Sequence, residues 1–264
     1  MIIDIHVHCF PKEVALRSIS ARSQKFQIIP EADGTVVGLK ASMAESGVNT
    51  SVLQPIALKP EQTIKMNRWA AGVKDEGIIS FGTIHPDFSE WKQEIRWLVS
   101  KGFKGVKFHA DCQGYYVDDP RMLNIYEKVF EAGLIILFHS GVDLAFTGPF
   151  KCTPLRLRKV LDTFPGAVMI AAHMGGYRYW DDVEKHLLGK DIYFDTAYSI
   201  HELGIERAEK FIRQHGAEKV LFGTDSPWRN QAVDISLIKS LNLGCKDING
   251  ILGNNAKKVL GIDQ

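Results

Sequence analysis

Residues 2–8 read Ile2-Ile3-Asp4-Ile5-His6-Val7-His8, an apolar strand-like run that carries two imidazoles one residue apart. Alternate residues of a strand point to the same face. His6 and His8 therefore project side by side, roughly 7 Å apart at Cα from the rise of a strand, and two ring nitrogens at that spacing can converge on one divalent ion. Two histidines merely packed on the inward face of a Val/Ile-rich strand would still need partners for their ring nitrogens. The run predicts a buried first strand and a metal centre.

Seven further apolar runs follow, each ending in a polar residue or a Gly/Pro signal: Val48 to Leu53, Ile78 to Ile84, Phe103 to Phe108, Leu134 to Phe138, Ala167 to Ala172, Ile192 to Phe194 and Val220 to Phe222. They read as buried strands. Amphipathic stretches at Leu39 to Glu45, Glu61 to Lys74, Glu90 to Ser100, Pro120 to Glu131, Pro154 to Thr163, Trp180 to Leu188, Ile205 to Gln214 and Ala232 to Leu241 read as helices. Eight strand-then-helix units of about thirty residues imply a parallel sheet with right-handed crossovers and the length of a closed (β/α)8 TIM barrel. An open doubly wound sheet is the alternative; a Gly-rich phosphate turn after its first strand would be expected, and the sequence has none. No linker, low-complexity tract or charge block breaks the alternation, so a single domain over residues 1–264 is expected. The segment from Val14 to Val37 does not fit the repeat and is expected to form an insertion after strand one, over the barrel mouth. Asp247 to Gly261 reads as an extra C-terminal helix with a weak point at Gly253-Asn254-Asn255.

At 264 residues and 45% hydrophobic content the chain can bury a large core. A net charge of +1 gives no electrostatic case for nucleic acid or an anionic membrane. No apolar run reaches membrane-spanning length and no cleavable leader is evident, so a cytoplasmic protein is expected. Cys9, Cys112, Cys152 and Cys245 lack CxxC spacing, and free thiols are the default.

The remaining polar residues fall at the C-terminal ends of the expected strands, where barrel enzymes carry out chemistry. His85 follows strand three, Lys107 and His109 close strand four, His139 strand five, His173 strand six and Asp195 strand seven, and Asp225 follows strand eight. A single histidine could equally be a satisfied core or loop residue. Seven polar residues at one rim argue otherwise. In order along the chain, Asp4-x-His6-x-His8, Gly102-Phe103-Lys104-Gly105-Val106-Lys107-Phe108-His109, His139-Ser140-Gly141, His173-Met174-Gly175-Gly176, Phe222-Gly223-Thr224-Asp225-Ser226-Pro227 and Ile251-Leu252-Gly253-Asn254-Asn255-Ala256 resemble, nearly end to end, the amidohydrolase superfamily. The likeness is to its amidohydrolase-related branch, which includes aminocarboxymuconate-semialdehyde decarboxylase and its relatives.

That resemblance implies one divalent metal ion, zinc foremost, held by His6, His8, His139 and Asp225. It also implies Asp225 as proton handler and His173 as a catalytic residue that polarises substrate or stabilises an oxyanion. Binuclear relatives carry a carboxylated lysine at the position of Lys107, whereas this branch generally works with one metal, so Lys107 is expected as a cation for a substrate carboxylate. His109, in phase with it, is expected to bind substrate or to hydrogen-bond behind the metal ligands. Arg178 and Trp228 are further substrate-binding candidates; Trp180 and Arg229 lie nearby, and helix starts would explain each equally well. Cys9 and Cys112 read as packing residues.

The leading expectation is metal-dependent hydrolysis of a small organic substrate by activated water, with His173 and Asp225 catalytic. The alternative at the same site is non-oxidative decarboxylation of an unsaturated or aromatic carboxylic acid. A metal-binding scaffold without activity would not need His173 at the rim. The partner is a small molecule, with a homo-oligomer left open.

Overall fold

The computed structural model describes residues 1–74 and 77–262; residues 263 and 264, at the end of the expected single domain, lie outside the described residues. Strands and helices alternate along the chain as the apolar runs require. The strands are β1 (Ile3–Val7), β2 (Thr50–Leu53), β3 (Ile78–Ser80), β4 (Gly82–Thr83), β5 (Gly105–Phe108), β6 (Ile135–Phe138), β7 (Met169–Ala171), β8 (Tyr193–Asp195) and β9 (Val220–Leu221). The run expected as one strand from Ile78 to Ile84 is therefore two, β3 and β4, parted at Phe81.

Two compact units are distinguished, Met1–Leu53 with Asp75–Ile78 and Asp195–Gln264, and Gln54–Lys74 with Ile79–Phe194. In the first unit β1 pairs in parallel with β2, Ile3 opposite Thr50 and Val7 opposite Leu53. On its other side Ile5 N–H donates to Phe222 O at 2.8 Å. Every residue of β1 is buried, including Asp4 and His6. A carboxylate can be buried there only because donors surround it: Asp4 accepts from Thr224 Oγ1 at 2.6 Å, Gln231 Nε2 at 2.8 Å, Thr224 N at 3.0 Å and His6 N at 3.2 Å. Burial still pushes its pKa up to about 7, against the pull of these donors. The bonds tie β1 to the turn after β9.

The expected insertion contains a helix, Lys12–Phe26, and the segment returns to β1 and to the turn after β9 through Phe10 N to Gly34 O at 2.8 Å and Glu31 N to Pro227 O at 2.7 Å. The expected C-terminal helix is made of Cys245–Asn249, a π-helical turn Gly250–Asn254 and Asn255–Leu260. The irregularity falls at the anticipated weak point. Gly253 is required there because a Cβ would overlap the carbonyl oxygen of Met1.

In the second unit β4, β5, β6, β7 and β8 form neighbouring parallel strands, with Lys107 opposite Leu137 and Phe138 opposite Ala171. All four residues of β6, Ile-Ile-Leu-Phe, are buried, as a strand covered on both faces must be. Helix Pro120–Glu131 shows the local logic. The Asp119 side chain caps Arg121 N at 2.9 Å and Pro120 takes the first helical position, where its missing N–H costs nothing. Met122, Ile125, Tyr126 and Val129, spaced by three and four residues, form its buried face. Each such side chain contributes about 1.5–3 kcal/mol by leaving water.

Candidate metal centre

In the first unit, β1 ends by presenting His6 and His8, and the turn after β9 presents Asp225. His8 Nε2 lies 3.1 Å and His6 Nε2 3.6 Å from the same Asp225 oxygen, Oδ1. One donor atom from each of the three residues falls within 4.8 Å of the others. The two rings are 5.2 Å apart and inclined at 65°, so they are not stacked face to face. Two imidazoles and a carboxylate are the donor set of a borderline divalent ion.

Asp225 is held by its backbone. It adopts the left-handed conformation, φ 68°, its N–H donates to His6 O at 2.8 Å, and Trp228 N donates to its carbonyl at 3.0 Å. Behind His6 stands Asp195, fully buried at the end of β8, with Oδ2 2.8 Å from His6 Nδ1. A proton on Nδ1 shared with that carboxylate leaves Nε2 as the ring's lone-pair donor toward a metal. The sequence marks Asp195 as a strand-end carboxylate but not as the partner of His6. A bond across 189 positions of the chain has no local signal.

In the second unit, Lys107 is buried in β5 and His109 follows it. His109 was expected at a substrate or behind a ligand; its Nε2 lies 2.9 Å from Asp143 Oδ2, and its ring stacks on His139 with centroids 3.9 Å apart and planes 8° apart. Burial opposes a charge on His109, but the Cys112 sulfur and the Asp143 carboxylate outweigh it and push its pKa up to about 10. Gln113 fixes the segment: its Oε1 accepts from His109 N at 3.0 Å while Nε2 donates to Ala57 O and Ile84 O. Donor atoms of His109, His139 and Asp143 also lie within 4.8 Å of one another. Their geometry is that of a stacked ion pair, however, because nearly parallel rings cannot aim both lone pairs at one ion.

His173 follows β7, buried and left-handed at φ 62°, with Nε2 3.1 Å from His139 Nδ1. Arg178, also left-handed, is exposed with its guanidinium 5.0 Å from the centre of the Tyr177 ring. Trp228 is half-buried in the Asp225 turn. Arg229 is committed to Asp234, Nη2 to Oδ1 at 2.5 Å, and Trp180 Nε1 donates to His173 O at 3.3 Å, so these two serve the fold. His85 Nδ1 accepts from Asp87 N, and burial lowers its pKa despite Asp87 and Glu61. Cys9 is buried with its pKa raised to about 12 by that burial, as a packing thiol would be.

A search of curated proteins by sequence finds no match. Among solved structures, 5-carboxyvanillate decarboxylase from Sphingomonas paucimobilis superposes with a TM-score of 0.75 at 15% identity, covering 99% of both chains. A dihydroxybenzoic acid decarboxylase from Polaromonas sp. JS666, solved with manganese and the inhibitor 2-nitroresorcinol, gives 0.74 at 16% identity, covering 100% of this chain and 97% of the other. An uncharacterized TIM-barrel protein from Bordetella bronchiseptica gives 0.75 at 16% identity, covering 98% of both. These likenesses show the fold, a (β/α)8 TIM barrel, as the eight strand–helix units predict. A model of the amidohydrolase family, built on sequence and independent of that superposition, matches residues 3–262, and by it this chain belongs to the amidohydrolase family.

Proposed function

We propose that the protein is a metal-dependent, non-oxidative decarboxylase of an aromatic or unsaturated carboxylic acid. The observation that carries the metal is the convergence of His6 Nε2, His8 Nε2 and Asp225 Oδ1, with Asp195 fixing the His6 tautomer. His139 is the fourth ligand that the sequence motif implies. The choice of reaction is supported by the two decarboxylases of aromatic acids that share the fold over nearly their whole length. Hydrolysis, the first expectation from sequence, needs the same residues and has no such support.

A divalent ion bound there supplies Lewis acidity toward substrate oxygens. Manganese in a structural neighbour and zinc from the donor chemistry both suit the set. Asp225 moves the proton: it gives one at Oδ2 to the ring carbon bearing the carboxylate, the carbon–carbon bond breaks with its electron pair returning to the ring, and carbon dioxide leaves. Water then returns the proton to Asp225, and the hydroxide this leaves combines with the carbon dioxide as bicarbonate. Lys107, buried in β5, anchors the substrate carboxylate or a phenolate, and Arg178 and Trp228 contribute from the turns that hold His173 and Asp225. His109, paired with Asp143, supports His139 through its stacked ring.

The test is product analysis by mass spectrometry. Protein stripped of metal and reloaded with manganese or zinc is incubated with hydroxylated benzoates, unsaturated aliphatic acids, lactones and amides. Metal-dependent loss of carbon dioxide from an acid is expected. Gain of water on a lactone or amide, with every acid untouched, would return the assignment to hydrolysis.

A further inference from the structure

His139 Nδ1 and His173 Nε2 are 3.1 Å apart, a hydrogen bond that only one ring can donate. If His139 is to bind a cation through Nε2, its proton must sit on Nδ1 and His173 Nε2 must accept it. His6 has the same arrangement, with Nδ1 held by the Asp195 carboxylate. We infer that His173 is a positioning residue, the acceptor that fixes the tautomer and ring orientation of His139, and that Ser140 locks it in place. This rests on the reading of His139 as a metal ligand and reassigns the residue expected from sequence to act on the substrate.

The backbone around His173 supports the assignment. His173, Met174 and Gly175 are consecutive left-handed residues, with φ of 62°, 54° and 85°. Two adjacent non-glycine residues in that region cost free energy and persist only when their surroundings over-determine them. Here Ser140, next in sequence to His139, donates from Oγ to Gly175 O at 2.8 Å, and its carbonyl accepts from Tyr177 N at 3.0 Å. Val142 N donates to Tyr177 O at 2.9 Å, and Trp180 Nε1 reaches His173 O. Gly141 lies so close to the Tyr177 backbone that no Cβ fits. The segments carrying the two histidines are thus joined by a short ladder beyond the strand ends. One hydrogen bond orients the two imidazoles against each other, and the ladder holds the backbone that carries each ring.

The experiment measures zinc affinity by chelator competition for the wild type, His139→Ala, His173→Leu, His173→Gln and Ser140→Ala, with circular dichroism as the check on folding. Loss of an outer partner of a ligating histidine typically weakens binding by about 10- to 100-fold. That loss is expected for His173→Leu. His173→Gln, whose amide oxygen can take the place of Nε2, should recover most of it, and Ser140→Ala should show a smaller loss in the same direction. The Nδ1–H proton of His139 is expected far downfield by NMR in the wild type, and it should persist in His173→Gln and vanish in His173→Leu. Should His139→Ala lose zinc while His173→Leu binds like the wild type, the positioning role is wrong and the ligand reading stands. Wild-type affinity in His139→Ala would remove both. Neither outcome depends on knowing the substrate, and failure of the decarboxylation assay leaves the comparison decisive.

Discussion

Replacing Asp195 by Asn changes one oxygen for an NH2 group and inverts the chemistry behind His6. Asp195 Oδ1 accepts from Ala197 N at 3.1 Å, so the Asn carbonyl is retained on that side and its NH2 group faces His6 Nδ1, where Oδ2 stood at 2.8 Å. An NH2 group donates. It stabilises the His6 tautomer with its lone pair on Nδ1 and its proton on Nε2, the atom that lies 3.6 Å from Asp225 Oδ1 and must be bare to bind an ion. Loss of such a partner costs about 10- to 100-fold in metal affinity, or about 1.4–2.8 kcal/mol. Asp195→Asn should sit at the upper end of that range, because it enforces the wrong tautomer in addition to removing the right one. Asp195→Ala, which removes the acceptor without supplying a donor, should lose less. Zinc affinity from chelator competition measures both. Equal affinities for Asn and the wild type would refute the tautomer argument, and a larger loss in Ala than in Asn would refute the ordering.

Three other perturbations address the scaffold. Gly141→Ala should lower stability by at least about 1–3 kcal/mol, since it places a Cβ against the Tyr177 backbone at φ 91°; an unchanged melting temperature would show that the ladder yields. Ile125→Ala, on the buried face of helix Pro120–Glu131, should cost about 2–5 kcal/mol in urea denaturation while leaving zinc affinity as it is; a parallel loss of affinity would mean that the site is coupled to that helix. Burial would raise the pKa of Asp118, but Arg156 at 2.5 Å and Lys159 at 3.1 Å outweigh it and hold the carboxyl below its usual range. Its contribution, about 0.2–1 kcal/mol for so exposed a cluster, is complete above the unfolded carboxyl value and vanishes as pH falls through the folded one. Asp118→Asn should therefore be less stable than the wild type at pH near neutrality and equal to it in strong acid, and a gap that persists in acid would point to lost packing.

The strands were legible where burial on both faces leaves an unbroken apolar run, as at Ile135–Phe138, and the helices where a cap and a proline mark the start, as at Asp119-Pro120. The break at Phe81 was not, because a fully buried phenylalanine reads like any strand residue and nothing in the composition distinguishes the residue where pairing stops. The same contrast holds at the site. His6 and His8 declare themselves by their spacing within one strand. The partner of His6, Asp195, and the pairing of His109 with Asp143 depend on the course of chain between distant positions and on which ring nitrogen faces which carboxylate. Local pattern carries neither quantity. Asp143 lies in the loop after β6 with no neighbouring signal, and only the folded loop brings it to 2.9 Å from His109.

One feature of the backbone links these observations. Among the described residues, the non-glycine positions with positive φ are Gln27, His173, Met174, Arg178, Tyr198 and Asp225, and all but Gln27 lie in turns that follow β7, β8 or β9. Each costs roughly 1–2 kcal/mol relative to an ordinary conformation. Glycine would remove that cost and the side chain with it. Where a strand end must reverse direction and also present an imidazole or carboxylate, the two demands compete, and in this chain the side chain wins at His173 and at Asp225. The compensation is visible in both cases as hydrogen bonds to an adjacent strand end: Asp225 N to His6 O at 2.8 Å on one turn, Ser140 Oγ to Gly175 O at 2.8 Å on the other. Left-handed turns held from a neighbouring histidine strand are thus how this sequence fixes donor atoms that the strand periodicity alone would leave pointing along an irregular loop.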